Sequence, residues 1–454
     1  MCWREVPVLP ERFERYLLSV GEKIRWGRAR PFVLRELQTH LEEQKEVFLE
    51  AGMRDAEAEE AALRDMGQAE EVGEGLDAVH RPRPQWGLAV WVILLSFGGC
   101  FLRVVLTAGA EYEAVDPMRA AAAVMLGTAL LLGMYHLDYT IFARHGKAVY
   151  AAVVAAGILS LVLSPRINGA SYYTRYVVLC DPVAYAAWLG ALRGKGWRGV
   201  ALAVLGGVPL AATACVAPYT TGLLLLLVSG FAALLACGKM DWFGVGKSQT
   251  LAAVFGSGAV LSLPALWFLS ASTTVRQRLE IMLHPENDAL GRGYMGMAVR
   301  KVLSGAVWLG EGRMDGFERM PLERVLPEWD HDCFLAALTF RLGWLPCFVL
   351  VGMVILLLGF LMTRGMRTQN CFGRLLALSA VLPLVMQAAG AAALNLGVIL
   401  TSASFPLLSG NLHTVLTMGM MGLLLSVFRQ QNLPEWQLGE EKNAPIRQDF
   451  TKFA

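Results

Sequence analysis

The sequence predicts an all-α, polytopic membrane protein: about ten transmembrane helices behind a small cytoplasmic helical domain. Three observations predict it. Of the 454 residues, 55% are hydrophobic, and the mean hydropathy is +0.46, too apolar for one ordinary soluble domain. From Trp86 onward the chain is a series of apolar segments, each near the ~20 residues that a bilayer requires once tilt is allowed for. Residues 1 to about 85 are instead rich in Glu, Arg and Ala and contain no apolar run of membrane length.

The N-terminal segment reads as a small helical bundle over 1–85. Pro31 suits the first turn of a helix. Leu34, Leu37, Leu41 and Phe48 then fall on one helical face, and Gly52 supplies the stop. A second helix runs from Asp55 to Met66 and stops at Gly67; a third carries Val72, Leu76 and Val79. The stretch ELQTHLEEQKEVFLEAGMRDAEAEEAALRDMGQAEEVGEGL resembles the permease prefix domain found ahead of diverse bacterial membrane proteins. That resemblance implies a docking or regulatory module, and a folded cap with no separate role is the alternative. Arg81-Pro82-Arg83-Pro84 forms a short basic linker.

The membrane domain is expected over 86–430, with spans at 86–107, 116–136, 147–163, 174–192, 199–216, 219–237, 249–271, 333–363, 374–400 and 411–428, and a tail over 431–454. Asp181 and Pro182 interrupt the fourth. Positive charge sets the orientation. With the N-terminal domain inside, the inner short loops carry Arg144, Lys147, Arg193, Lys195, Arg198, Lys239, Lys247, Arg364, Arg367 and Arg374. The outer short loops carry only Arg166 and Arg175, and the first of them is acidic, with Glu111, Glu113 and Asp116. Both termini are therefore expected in the cytoplasm, which leaves Ser272–His331 as a large outer loop.

Composition also excludes. A net charge of +2 gives no sign of nucleic-acid binding. The polar N-terminus has no signal-peptide apolar core. The eight cysteines include no Cys-X-X-Cys pair and fall mostly in apolar runs, as small buried hydrophobes do.

The outer loop ends in three consecutive ionisable residues, Asp330, His331 and Asp332, immediately before an apolar helix. A carboxylate at the mouth of a membrane helix is costly to desolvate and marks function by default. The helix N-terminus favours negative charge there, and capping by Asp330 or Asp332 is the plainer reading. Glu328, Asp330, His331 and Asp332 also offer ligand types suited to Mg²⁺ or Mn²⁺. Consecutive residues point in different directions, however, so a weak surface contact is the most they allow.

Leu326-Pro327-Glu328, then Asp332, Phe334 and Ala336, resembles the LPExxTDFxFA signature of the FtsW/RodA/SpoVE (SEDS) proteins, multi-span glycosyltransferases that polymerise lipid II into peptidoglycan. Asp332 occupies the position of that family's proposed catalytic aspartate. The preceding Thr is His331, and a following Glu pair is Phe340-Arg341, while Gly343 is kept. Gly291, Gly293 and Tyr294, with Gly305, Gly310 and Gly312, resemble the family's glycine-rich loop. Asn168-Gly169-Ala170 with Tyr172-Tyr173 resembles NGAxRW. Asp181-Pro182 stands at a Gln-Pro, followed by Val183, Ala184 and Ala187 in place of Ser, Glu and Lys. Ala217-Pro218-Tyr219-Thr220 replaces QPDLG. Asn395-Leu396-Gly397 and Phe405–Asn411 resemble NxG…LPFxSYGG. The resemblance covers roughly 90–430 in order and implies ten spans with one large loop between the seventh and eighth.

It further implies lipid II as substrate, a class B penicillin-binding protein as partner, and a role in cell shape, division or sporulation. On this reading Asp332 is the base that activates the acceptor hydroxyl. Glu328, Arg292, Arg341, Asn168 and Ser409 are candidate substrate contacts. Diphosphate stabilisation is assigned among Arg276, Arg278, Arg292, Arg300, Lys301 and Arg341. Arg341 lies nine residues past Asp332, about 13 Å along a helix. It is therefore expected in the apolar core, on a ligand or in an ion pair with a group such as Asp181. A transporter or flippase for lipid-linked precursors, or a scaffold for the partner enzyme, is the alternative. No internal duplication of the kind common in transporters is evident.

Overall fold

The computed structural model describes residues 10–27, 29–107, 115–167, 170–271, 277, 280–291, 293–314, 321–326, 329–398 and 402–431, and of residues 167, 170 and 261–271 the backbone alone. The chain divides into two compact units, Met1–Pro84 with Arg429–Gln437, and Gln85–Phe428 with Leu438–Ala454.

The first unit contains α1 (Glu11–Lys23), α2 (Arg30–Glu50), α3 (Asp55–Met66) and α4 (Ala69–His80). Pro31 sits in the first turn of α2, and Gly52 and Gly67 follow α2 and α3 with φ of 90° and 85°. Phe13, Leu17 and Val20 of α1 join Val33, Leu37 and Leu41 of α2 and Ala62 of α3 in one apolar core. The expected stripe is confirmed at Leu37 and Leu41, with Leu34 and Phe48 packed at its margin. Helix α1 was not expected from the sequence, and Val79, placed on an apolar face, is 59% exposed.

Among the described residues, the second unit contains eight helices long and apolar enough to cross a membrane. They are α5 (Trp86–Leu106), α6 (Pro117–His136), α8 (Gly146–Leu163), α11 (Gly196–Val216), α12 (Thr220–Lys239), α17 (Trp344–Met366), α18 (Cys371–Asn395) and α19 (Asn411–Arg429). The starts are chemically defined. Asp116 accepts the Met118 amide at 2.9 Å ahead of Pro117, and Asn370 accepts the Gly373 amide at 3.0 Å; both are N-caps. Helix α13 (Lys247–Ala271) has 25 residues, enough for a crossing at ~1.5 Å per residue. Short helices α7 (Ile141–Arg144), α9 (Thr174–Val178), α10 (Asp181–Gly190), α14 (Tyr294–Ser304), α15 (Leu322–Val325) and α16 (Phe334–Leu342) lie between them. With them come a 3₁₀ turn at Pro285–Asp288 and a two-residue antiparallel ladder, Arg166–Ile167 with Ala170–Ser171.

Two expected spans are broken. The fourth, 174–192, is two short helices, α9 and α10, which meet at Leu179-Cys180 just ahead of Pro182. The eighth, 333–363, breaks at Gly343, whose φ is +99°. A Cβ there would come 2.6 Å from the Trp308 carbonyl, so only glycine fits. The ionisable triplet therefore precedes a short helix, α16, and not the spanning helix α17.

The bundle is organised around its last helix. Helix α19 is 83% buried over its apolar window and α8 only 11%. Outer faces such as Leu94, Phe97, Ile158, Val162 and Leu356 are exposed, which suits acyl chains and not water. Close approach is made by small residues, as membrane packing requires: a Cβ on Gly422 of α19 would collide with the Leu131 backbone of α6. Helix α18 packs against α10, α12, α16 and α17.

Candidate active site

The Asp330-His331-Asp332 triplet is presented by a loop fixed at both ends. Trp329 and Cys333 are 1% and 0% exposed. They belong to a local core with Val299, Val302, Val325, Leu326 and Phe340. The three ionisable residues between these anchors are half-buried.

Asp332 is held by three polar side chains. The Ser402 hydroxyl donates to Oδ2 at 2.5 Å and the Ser404 hydroxyl to Oδ1 at 2.9 Å. Asn395, at the end of α18, donates to the Asp332 carbonyl at 2.7 Å and accepts the Ala336 amide at 2.8 Å. Helix α16 has no side-chain cap at its N-cap residue Cys333. The capping expected of Asp330 or Asp332 is thus not what they do, because Asn395 serves a first-turn amide in their place. The Asp332 charge also acts on Arg175 and Tyr219.

Arg175 lies on α9, with its guanidinium 4.3 Å and 4.9 Å from the ring centres of Tyr172 and Tyr176. It donates to the Tyr176 hydroxyl at 2.8 Å. Two aromatic faces hold a cation without neutralising it, and its Nε is buried without a partner. Arg103, in the last turn of α5, is 3% exposed. It donates to Asp330 Oδ2 at 3.0 Å and to Asn411 Oδ1 at 3.0 Å. Asp330 Oδ1 faces His331 Nδ1 at 2.7 Å. Burial works to raise the Asp330 pKa, but the hydrogen bond and charge of His331, followed by Arg103, hold it below the ordinary carboxylate value.

Other expected residues have different roles. Arg341 pairs with Glu311 at 2.6 Å and Glu323 at 3.1 Å and is 30% exposed. It is therefore not in the apolar core, and Asp181 is not its partner; it ties the Glu311 segment and α15 to α16. Ser409 is fully buried and donates to the Phe405 carbonyl at 2.9 Å. Arg300 donates to the Gly397 carbonyl at 3.1 Å. The glycine-rich segment packs on helix backbone: Gly310 and Gly312 donate to Leu342 and Phe340 carbonyls at 2.9 Å and 2.8 Å. Glu328, Arg292, Asn168, Arg276 and Arg278 lie outside the described residues.

Among the described residues no group of three or more His, Cys, Asp or Glu is arranged to hold a metal ion. Asp330 faces two basic side chains and Asp332 two hydroxyls. That arrangement does not fit a site for Mg²⁺ or Mn²⁺ built from these residues.

The sequence reading missed Arg103, Arg175, Ser402 and Ser404. A lone arginine in an apolar helix is a visible signal, since it requires a partner. The serines give none, because they reach Asp332 across about 70 residues.

The chain is 28% identical over 216 residues to the Escherichia coli K12 peptidoglycan glycosyltransferase MrdB, covering 46% of this chain and 55% of that protein. It is 27% identical over 177 residues to the probable peptidoglycan glycosyltransferase FtsW of Trichlorobacter lovleyi, covering 38% and 45%. The chain thus spans about half the length of the curated relatives it matches. Among solved structures, a chain of a peptidoglycan synthase complex that coordinates polymerisation and crosslinking superposes with a TM-score of 0.60 at 21% identity, over 77% of this chain and 98% of that one. An alanine mutant of the Thermus thermophilus rod shape-determining protein RodA gives 0.50 at 18% identity, over 77% and 98%. At those identities the structures establish the fold. The apolar helices and these relatives make this a multi-pass bacterial inner-membrane protein. The family model for the FtsW/RodA/SpoVE cell cycle proteins matches residues 183–433, more than half of the chain, and the protein belongs to that family.

Proposed function

We propose that the protein is a peptidoglycan glycosyltransferase that polymerises lipid II at the outer face of the cytoplasmic membrane, with both termini in the cytoplasm. The observation that carries this is Asp332: an ionisable side chain on an anchored loop, oriented by two serine hydroxyls and within electrostatic range of a cation, Arg175, that two tyrosine rings leave unneutralised. A carboxylate offers about four lone-pair sites. The two serines use two, so the group retains capacity to take a proton from the acceptor hydroxyl. Such base assistance is worth about 10²–10⁴ in rate.

The donor sugar is α-linked and the product β-linked in the family reaction, which calls for direct inverting displacement. The leaving group is undecaprenyl diphosphate. Arg175 takes over the diphosphate role first assigned to Arg276, Arg278, Arg292, Arg300, Lys301 and Arg341, because it is held on two tyrosine rings with its Nε unbonded and lies within electrostatic range of Asp332. A class B penicillin-binding protein is the proposed partner, and cell shape, division or sporulation the setting. Lipid II polymerisation by the purified protein, with and without that partner, tests the reading. Glycan chains in the parent and none in Asp332→Asn support it; an inactive parent in both conditions favours a scaffold.

A further inference from the structure

The loop that presents Asp332 holds a second group able to carry a proton. Asp330 is fixed from one side by Arg103, at 3.0 Å, and faces His331 Nδ1 at 2.7 Å from the other. Arg103 is itself fixed, 3% exposed and bonded to Asn411. An ionised Asp330 accepts a proton-bearing Nδ1, which makes Nε2 the ring atom that gains or loses a proton.

Space for the ring is provided by Gly410, at the foot of α19. Its φ is +69°, and a Cβ there would stand 3.2 Å from His331 Cδ2 and 3.5 Å from Nε2. The imidazole lies along bare backbone and is 21% exposed, so it is reachable from the site. Charged or titratable groups surround it among the described residues. Asp330 and Asp332 flank it on its own loop, and Arg103 reaches in from α5. His413 of α19 is buried, with His331 and Arg175 of α9 within electrostatic range.

Glycosyl transfer sets a requirement here. As the bond between the sugar carbon and the phosphate oxygen breaks, the electron pair stays with the diphosphate. Asp332 has no proton to give, since it receives one, and one end of Arg103 is committed to Asp330.

We propose that His331, oriented by Asp330, is the general acid of this site. The acceptor hydroxyl loses its proton to Asp332 and its oxygen bonds to the sugar carbon. The bond from that carbon to the diphosphate oxygen breaks, and His331 Nε2–H passes its proton to the diphosphate. Asp332 ends with one proton more and His331 with one fewer, and exchange with water resets both. This rests on the polymerase reading above.

The experiment measures single-turnover lipid II polymerisation by the full chain in nanodiscs across about pH 5–9, the range in which imidazoles titrate. The parent rate should fall as pH rises through that range. His331→Thr keeps a hydroxyl for Asp330 but carries no such proton. It should lose the pH-dependent limb and run about 10²-fold below the parent optimum. His413→Gln should keep the limb. A limb retained in His331→Thr, or lost in His413→Gln alone, overturns the proposal.

A second readout needs no turnover. The parent should bind undecaprenyl diphosphate more tightly at about pH 5.5 than at about pH 8.5, and His331→Thr should bind equally at both. Flat binding by the parent overturns the dyad. Failure of the polymerase reading looks different: no turnover in the parent, with pH-dependent diphosphate binding intact.

Discussion

Asn395 grips the backbone of Asp332 and not its charge: Nδ2 reaches the Asp332 carbonyl at 2.7 Å while Oδ1 takes the Ala336 amide at 2.8 Å. One amide side chain from the end of α18 thus fixes both the loop and the first turn of α16. It leaves the Asp332 carboxylate to Ser402 and Ser404.

Asn395→Leu should lower stability by about 1–3 kcal/mol, because it leaves a backbone acceptor and a backbone donor unsatisfied. Asn395→Asp keeps the Ala336 bond but turns a buried acceptor oxygen onto the Asp332 and Ala391 carbonyls, so it should cost at least as much. Thermal unfolding in nanodiscs measures both. A near-parental Asn395→Asp would mean that the donation to Asp332 contributes nothing.

Arg341 should matter to stability and not to chemistry. Glu323 is 3% exposed and Arg341 30%. Arg341→Met strands a buried carboxylate at a cost of about 1–3 kcal/mol, below the fully buried case because solvent reaches the arginine. Arg341→Met with Glu323→Gln should recover most of that. Polymerising activity per folded molecule should stay near the parent in the double variant; a large fall there returns Arg341 to the substrate.

Asp330 gives a pH prediction with a defined sign. Burial opposes its charge, yet His331 and Arg103 hold its folded pKa below the ordinary value of 3.8. A depressed carboxylate contributes stability that is complete above the unfolded pKa and is lost as pH falls through the folded one. The parent should lose stability below about pH 4, and Asp330→Asn should lose less over that interval. Parallel acid curves for the two proteins would contradict the shift.

Orientation follows from the charge bias of the short loops. A cysteine placed at Glu286 should react with an impermeant thiol reagent in intact cells, and one at Lys195 should not. Reversed labelling would put Asp332 on the cytoplasmic side and end the polymerase reading with it.

The membrane class was legible because hydrophobic length is a one-dimensional property: the ends of α5, α6 and α12 fall within about two residues of expectation. The breaks were less legible. Asp181-Pro182 announced one in the fourth span, but Gly343 reads as any helical glycine until the Trp308 carbonyl is seen against it. Asp332 was found from its place beside an apolar helix and the signature around it. Its serines come from a segment that carries no charge and no period. Arg341 misled for a related reason: counted along an unbroken helix it falls in the core, and the actual break places it beside Glu311 and Glu323.

Asp332→Asn is the decisive substitution, and the structure sharpens what it tests. The side chain caps no helix, since α16 has no side-chain cap at Cys333 and Asn395 serves its Ala336 amide. The carbonyl that Asn395 holds is unchanged by the substitution. An amide in place of the carboxylate still accepts from one serine, so stability should stay within about 1 kcal/mol of the parent. Basicity, however, is gone, and glycan-chain formation should fall by at least about 10²-fold. Ser402→Ala with Ser404→Ala removes the orientation and keeps the base, so it should cost less activity than Asp332→Asn. Asp332→Glu keeps the base and moves it by one methylene, and partial activity is expected. The comparison is made by polymerisation rate per folded molecule, with thermal unfolding run on the same samples. Full activity in Asp332→Asn would remove Asp332 from the chemistry. A rate that tracks lost stability across all of these variants would reduce the serine–aspartate cluster to a fold element.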